Sequence, residues 1–230
     1  MILVMFPTIK EVSVSDFPDL SSPLSSLCQL LVFTRYPELG KAKTRLIPAL
    51  GVQGATELHR QLAEWAIAQV RQLQDRHKGA IQLVVYFTGS TVQAMQTWLG
   101  ADLVYRSQGQ GDLGEKLYRA IDQSFAEGME HIVVIGTDCP SLTPELFTQA
   151  FHALDSHDLV LGPAADGGYY LIGLSRPISE LFQNIHWGTS EVFSQTLNIA
   201  HALELSYFLL PVLSDIDRPE DLQCQLKINP

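Results

Sequence analysis

Cysteine is scarce in this 230-residue sequence: Cys28, Cys139 and Cys224 lie far apart, and no two of them form a C-x-x-C pair. An odd set without a framework points to a reducing compartment and argues against structural zinc. Long apolar runs are also missing, since no stretch approaches the ~20 apolar residues of a membrane span. The apolar residues 1–7 are few and lack a basic start, so we expect no signal peptide and a cytoplasmic protein.

Positive charge is in short supply as well. Fifteen Lys and Arg stand against 25 Asp and Glu, which gives a formal net charge of −10 and argues against nucleic-acid or anionic-membrane binding. Four of the fifteen basic residues nevertheless fall within residues 35–45. This cluster indicates one anionic ligand, with a solvated loop as the alternative. The sequence also has no G-x-S-x-G, H-E-x-x-H or Cys–His signature, which leaves hydrolase and zinc-enzyme hypotheses with little support.

Apolar runs alternate with helical patterns along the chain. Strands are predicted at residues 30–33, 81–87, 103–105, 132–135, 159–161, 170–172 and 207–210, and helices at 55–73, 92–99, 113–125, from Thr143, from Ser190 and from Pro219. This alternation predicts an α/β fold: a single-domain, mostly parallel, Rossmann-like sheet. We expect that domain to span residues 28–230, after a leader at residues 1–27 for which flexibility is one interpretation.

Ligands of such sheets bind beyond the carboxyl ends of the strands, where the strand order switches. The first loop of interest, residues 33–46, contains Arg35, Gly40, Lys43 and Arg45. Gly40 lets the backbone approach a ligand, and the basic side chains are suited to phosphate oxygens. The loop is not a P-loop, because Arg35 stands where that motif needs its first glycine.

The second loop carries Gly109, Gly111 and Gly114 in G-x-G-x-x-G spacing, with Asp112 between the last two. A dinucleotide fingerprint belongs in the first βα turn, whereas this one follows the third predicted strand. We therefore expect Gly111, Asp112 and Gly114 to bind part of a nucleotide at a helix N-terminus rather than NAD.

The third loop places Asp138 after the most apolar strand. An ionised acid is costly in such a place unless it is paired or bound to a metal, so Asp138 is a candidate ligand for Mg²⁺ or Mn²⁺ on a diphosphate. A capping or turn aspartate is the alternative. Asp166 lies in a tight Asp-Gly-Gly turn, and Asp215 and Asp217 lie two residues apart. A turn residue and a helix cap are the alternatives for these acids.

Six segments together resemble a known family. They are F-x-R-x-P-x-x-G-x-x-K-T-R-L, G-D-L-G-E-K, G-T-D-C-P-S-L, P-A-x-D-G-G-Y-Y-L-I-G-L, W-G-T-S and D-I-D-R-P-E-D-L, which run in this order over residues 30–226. They resemble a bacterial family of candidate glycosyltransferases associated with radical-SAM enzymes and arsenosugar biosynthesis. The resemblance implies a nucleotide-diphospho-sugar transferase (GT-A-like) fold, with Asp138 as the metal-binding acid and Asp217 as a second ligand.

The sequence departs from the D-x-D pattern of glycosyltransferases, because a single acid, Asp138, remains there. Residues 42–46 also resemble 2-phospholactate guanylyltransferase, and residues 217–222 resemble the ending of sugar-nucleotide synthetases. A nucleotidyltransferase that uses an NTP therefore stays open, as does a protein that binds nucleotides without catalysis.

Together these features predict a metal-dependent glycosyltransferase with a nucleotide-sugar donor and a small-molecule acceptor. Asp138 and Asp217 would hold the metal, and Asp166 would act as the base on the acceptor hydroxyl. Gly167, Gly168, Tyr169 and Trp187 would form the acceptor side. A homodimer is compatible with the sequence.

Overall fold

Seven strands form one sheet in the computed structural model, which describes residues 27–77 and 80–222. The strands are β1 (Cys28–Arg35), β2 (Ile81–Thr88), β3 (Val104–Ser107), β4 (His131–Ile135), β5 (Leu159–Pro163), β6 (Tyr169–Leu174) and β7 (Tyr207–Leu209). The helices are α1 (Ile47–Arg76), α2 (Val92–Leu99), α3 (Leu113–Ala126), α4 (Pro144–Leu154) and α5 (Val192–Ala202). Short 3-10 helices lie at Thr44–Leu46, Ser179–Phe182 and Pro219–Asp221.

The sheet is mostly parallel, as the sequence predicts, and its strand order is β3-β2-β1-β4-β6-β5-β7. Of these strands, β6 alone runs against the others, since it pairs antiparallel with both β4 and β5. Residues 164–168 are the whole connection between β5 and β6. So short a connection cannot make a crossover and permits only antiparallel pairing.

Both faces of the central strands are buried. Leu30 and Val32 of β1 pack on the side of α1, α2 and α4, and Leu31 packs on the side of α3 and α5. All three side chains are buried, which explains why β1 is an unbroken apolar run rather than an alternating one.

The strand order switches at β1. The chain runs outward from β1 to β2 and β3, and then returns to place β4 on the other side of β1. The connection after β1 leads to β2 on one side of β1, and the connection after β3 leads to β4 on its other side. Because the two connections diverge in this way, a crevice opens at the carboxyl ends of β1 and β4. The loops that carry residues 35–45 and Asp138 meet at this crevice.

The structure confirms some of the helix starts predicted from the sequence and corrects others. Thr143 caps α4 through its side chain, as predicted. The prediction that Ser190 caps a helix is wrong: α5 begins at Val192, its cap residue is Glu191, and Glu191 makes no side-chain capping bond. The helix predicted from Pro219 starts as a single 3-10 turn, and its continuation beyond residue 222 lies outside the described residues, as do residues 1–26 of the predicted leader.

None of the helices within the described residues is long and apolar enough to span a membrane.

The buried His131 gives the fold a pH dependence. Burial at the start of β4 lowers the pKa of His131 below its usual 6.5, against the opposing charges of Asp155 and Glu130. The unfolded chain therefore binds a proton near pH 6.5 while the folded protein does not, so stability is lost as the pH falls from 6.5 toward the lower folded-state pKa.

We predict that the free energy of unfolding falls between pH 7.5 and pH 5.5, by up to about 1.4 kcal/mol per pH unit for one such proton. Urea denaturation of His131→Gln should show a smaller fall, and the exposed His201→Gln should keep the parent's fall. An equal fall in the parent and in His131→Gln would contradict this account.

Candidate functional site

A cleft of about 370 Å³ lies at the strand switch. Its walls come from the carboxyl ends of β1 to β4, the loop before α1, the start of α3 and the segment before the last 3-10 helix. They are formed by Phe33, Thr34, Arg35, Lys41, Ala42, Lys43, His59, Thr88, Gln108, Leu113, Gly136, Thr137, Asp138 and Asp217. Four residues predicted for the site from sequence, Arg35, Lys43, Asp138 and Asp217, thus line one pocket.

The loop between β1 and α1 turns back on itself before the helix begins. Gly40 has a φ of 73° and Lys43 a φ of 49°, so both lie in the left-handed region. That region is easy for glycine but unusual for lysine. The turn directs the Lys43 side chain inward, where its exposed fraction is only 3%. A buried ammonium needs oxygen partners.

Lys43 finds those partners in two other loops. Its Nζ lies 2.8 Å from Asp138 Oδ1 and 3.8 Å from Asp217 Oδ1, and it donates a hydrogen bond to the carbonyl oxygen of Ile216. Arg45 approaches the other oxygen of Asp217 from the solvent side, with 58% of its side chain exposed. One ammonium thus joins the loop before α1, the loop after β4 and the C-terminal segment.

Backbone pairing holds the C-terminal segment in place. Leu213 exchanges hydrogen bonds with Pro163 and Ala165, and the Ile216 N–H donates to the carbonyl oxygen of Asp138. The Ile216 side chain is buried with Leu46 of the first loop. These contacts bring two acids together that are 79 positions apart in the sequence.

Two basic side chains of the cleft have no acidic partner within the described chain. Arg35 and Lys41 line the pocket but form no ion pair, and the Arg35 Nε is buried without a hydrogen-bond partner. Lys43 and Arg45, by contrast, are neutralised by Asp138 and Asp217. Positive charge without a partner in a cleft favours an anion, so Arg35 and Lys41 are the groups best placed to receive one.

Sequence reasoning missed Gln108, which follows β3 directly. Its side-chain nitrogen donates to the carbonyl oxygens of Thr34 (3.0 Å) and Tyr86 (3.1 Å), so the amide bridges the ends of β1 and β2 and lines the cleft. His59 of α1 lines the cleft too, and its Nε2 is 2.8 Å from the Arg35 carbonyl oxygen. A polar residue at the end of a predicted strand was the available signal for Gln108, whereas nothing in the local sequence marked His59.

The glycine-rich loop serves first to start α3. The Asp112 side chain accepts a hydrogen bond from the Glu115 N–H (2.8 Å), and the Glu115 side chain accepts one from the Asp112 N–H (2.9 Å), which makes a capping box. Gly111 has a φ of 110°, and Gly114 is buried where an added Cβ would lie 2.5 Å from the Phe182 carbonyl oxygen. These contacts account for Gly111, Asp112 and Gly114 structurally, and their nucleotide contacts stay predictions.

The residues predicted for the acceptor side form a second group, outside the lining of the cleft. The Gly168 N–H donates to Asp166 Oδ1 (2.8 Å) within the turn between β5 and β6. An added Cβ on Gly167 would lie 2.2 Å from the Ser190 carbonyl oxygen, so the turn packs closely against the segment that carries Trp187. Tyr169 and Trp187 meet edge to face with ring centroids 6.3 Å apart.

Asp215 links the two groups. Burial raises the pKa of the Asp215 carboxyl above its usual range, and the negative charges of Asp166 and Asp138 add to that rise, while Lys43 opposes it. The Asp215 carboxyl thus lies within the electrostatic influence of both Asp166 and Asp138. No three Asp, Glu, His or Cys side chains within residues 27–77 and 80–222 form a group that could hold a metal by themselves.

The fold is that of the nucleotide-diphospho-sugar transferases (GT-A-like). The chain belongs to a family described as an uncharacterized protein conserved in bacteria (DUF2064), whose model matches residues 69–189. A protein from Desulfovibrio desulfuricans G20, described as a candidate nucleotide-diphospho-sugar transferase, is 30% identical with a TM-score of 0.82. That match covers 89% of this chain and 88% of the other. No curated protein matches the sequence.

Two more distant structures share the fold alone. Glucosyl-3-phosphoglycerate synthase from Mycobacterium tuberculosis, in complex with Mn²⁺, uridine diphosphate and phosphoglyceric acid, is 15% identical, has a TM-score of 0.53, and the match covers 87% of this chain and 74% of that one. CMP:2-keto-3-deoxy-manno-octonic acid synthetase in complex with CTP is 9% identical, has a TM-score of 0.56, and the match covers 88% and 98%.

We predict that Arg35 carries a large part of the anion affinity of the cleft. Isothermal titration with pyrophosphate should show a loss of about tenfold or more for Arg35→Met, since a charge-assisted hydrogen bond is worth about 1.5–3 kcal/mol. Arg60→Met is the matched control, because Arg60 already pairs with Glu57 and Glu64 on the exposed side of α1. Equal losses in the two variants would show that only overall charge matters.

Proposed function

We propose that this chain is a metal-dependent glycosyltransferase that transfers a sugar from a nucleotide-sugar donor to a small-molecule acceptor. The observation that supports this most is the convergence of Asp138 and Asp217 on one cation position beside Arg35 and Lys41. A nucleotide diphosphate with a divalent cation offers charges that such a cleft would complement. Its anionic oxygens suit the basic side chains of Arg35 and Lys41, and the cation suits the two acids.

The donor set fits Mg²⁺ or Mn²⁺. Both acids lie within 3.8 Å of the Lys43 ammonium, and they keep 49% and 32% of their side chains exposed. They offer hard oxygen ligands at the edge of an open cleft. Mg²⁺ typically takes one or two protein carboxylates and completes its shell with water and substrate phosphate, so the absence of a third acid within the described residues is compatible with this ion.

In this proposal Arg35, Lys41 and Lys43 bind the diphosphate oxygens, with Gly40 allowing close backbone approach and Arg45 assisting through Asp217. Gly111, Asp112 and Gly114 bind the rest of the nucleotide at the start of α3. The bound cation, held by Asp138 and Asp217, would supply Lewis-acid stabilisation of charge on the leaving diphosphate. The basic side chains of the first loop orient the donor so that its sugar faces the acceptor group.

Asp166 is the candidate base of this proposal. Its carboxylate is exposed at a turn whose Gly168 N–H fixes one of its oxygens, which leaves the other oxygen able to take a proton from an acceptor hydroxyl. Gly167, Gly168, Tyr169 and Trp187 form the wall beside it. The acceptor in this proposal is a small molecule.

A nucleotidyltransferase that attacks the α-phosphate of an NTP is the second candidate, and one departure from the glycosyltransferase pattern keeps it open. A D-x-D motif would place an additional acid two residues from Asp138, where the chain has Gly136 on one side and Pro140 on the other. A single acid after β4 together with Asp217 leaves both chemistries open. A protein that binds nucleotides without turnover is the third candidate.

We place the protein in the cytoplasm, with residues 28–230 as one catalytic domain and residues 1–27 as a leader. A homodimer is the assembly included in this proposal, and no nucleic-acid partner is included.

The two chemistries differ in what they release. Incubation with Mn²⁺ and a panel of nucleotide sugars should release a nucleoside diphosphate when an acceptor is present. An NTP with a sugar phosphate should release pyrophosphate only if the second candidate is right. Binding without either product would favour the third.

Asp138→Asn should abolish metal-dependent nucleotide binding and lower activity by orders of magnitude, because the amide keeps the shape of the side chain but not the charge. Stability should fall only modestly, because the amide oxygen still accepts a hydrogen bond from the buried Lys43 ammonium and the replaced side chain is half exposed. Asp217→Asn should act in the same direction more weakly, because its second oxygen is already shared with Arg45.

Calorimetric titration of Mn²⁺ with a nucleoside diphosphate measures this directly. Asp102→Asn is the control, since Asp102 pairs with Arg71 at an exposed site away from the cleft. Parent-like metal and nucleotide binding in Asp138→Asn would sink the proposed function.

A further inference from the structure

The Lys43 ammonium occupies a position made for a cation. Its side chain is almost fully buried and is surrounded by Asp138 Oδ1 at 2.8 Å, Asp217 Oδ1 at 3.8 Å and the carbonyl oxygen of Ile216. These three oxygens come from two different segments of the chain. The ammonium is therefore the charge that keeps the two carboxylates from repelling each other.

We infer that Lys43 is a built-in counter-ion that holds the place of the divalent cation and opposes metal binding until phosphate arrives. This inference rests on the proposed function, because it concerns the same acid pair. With phosphate in the cleft, the ammonium gains an alternative anionic partner and can leave the carboxylates to the metal. Lys43 thereby couples the binding of metal to the binding of nucleotide, as a positioning residue.

Electrostatics favours this coupling over simple coexistence. A divalent cation that shares Asp138 and Asp217 with the ammonium would lie within a few ångströms of it, and like charges at that separation repel strongly at a partly buried site. Lys43 also lines the cleft, so its side chain borders the space where an anion would bind. The neighbouring Arg45 differs, because it reaches Asp217 from solvent and is more than half exposed.

A backbone feature holds the lysine in this role. Lys43 has a φ of 49° and directly precedes the 3-10 turn Thr44–Leu46, and the Leu46 side chain is buried against Ile216. These contacts hold the main chain directly after Lys43. The ammonium can therefore exchange partners by side-chain rotation alone, without movement of the loop.

The test compares the affinity of the parent and of lysine variants for Mn²⁺ in the absence of nucleotide. The affinity is measured by electron paramagnetic resonance of the free ion. Lys43→Met keeps most of the length and removes the charge, and it should bind Mn²⁺ about tenfold or more tightly than the parent. Lys41→Met is the matched control, since Lys41 lines the same cleft without an acidic partner; it should change the affinity by less than about threefold, because exposed charges are screened. Lys43→Arg, which keeps the charge, should leave Mn²⁺ binding weak.

A double variant shows whether the additional Mn²⁺ affinity belongs to the acid pair. Asp138→Asn in the Lys43→Met background should remove the gained affinity, which would locate the ion at the acid pair. If thermal unfolding shows that the Lys43→Met variant is not folded, Lys43→Gln takes its place. Its Mn²⁺ affinity is then compared with that of the parent in the same way.

Mn²⁺ affinity of a folded Lys43→Met or Lys43→Gln protein equal to or weaker than the parent's would overturn the inference. If the parent binds Mn²⁺ with a nucleoside diphosphate but the Lys43 variants show no gain, the proposed function stands and the inference fails. If the gain is seen but no nucleotide binds to the parent, Lys43 opposes metal at the acid pair, but its coupling to nucleotide fails together with the proposed function.

Discussion

The contact of the Lys43 ammonium with Asp138 and Asp217 organises the functional end of this protein. It joins the loop before α1, the loop after β4 and the C-terminal segment. The buried ion is stable there because three oxygens surround it and both carboxylates stay partly in water, which limits the desolvation that makes fully buried pairs costly. Without this charge the two acids would repel each other at the mouth of the cleft.

The sheet makes that contact available. Since β1 lies between β2 and β4, the loops after β1 and β4 are neighbours at the strand switch, and the position of the crevice follows from topology alone. Trp65 of α1 adds a tether by donating a hydrogen bond to the Pro140 carbonyl oxygen (2.9 Å), close to Asp138. The site therefore combines a rigid scaffold with loops that are fixed by side-chain contacts.

Much of this could be predicted from local pattern. The apolar run of β4 and the acid after it predicted both a central strand and the location of Asp138, and the structure has both. The capping box of Asp112 and Glu115 was also readable, as an acid three residues before a glutamate at a helix start. The glycine spacing around Asp112 also favoured a nucleotide contact, which stays a prediction.

Other features depend on long-range contacts that no local pattern contains. The left-handed conformation of Lys43 goes together with contacts of its ammonium to residues 138, 216 and 217, which are far away in the sequence. The same contacts decide which basic residues have no acidic partner, so the distinction between Arg35 and Arg45 appears only in the structure. The cap predicted at Ser190 failed for a related reason: the backbone there packs against the turn at Gly167.

The central claim is that a divalent cation and a nucleoside diphosphate bind together at the acid pair of this cleft. A crystal of the protein grown with Mn²⁺ and uridine diphosphate tests it most directly, through the anomalous difference density of manganese. The account predicts a peak within coordination distance, about 2–2.5 Å, of carboxylate oxygens of both Asp138 and Asp217, with the diphosphate beside Arg35. Manganese bound elsewhere, or nucleotide bound outside the cleft, would contradict it.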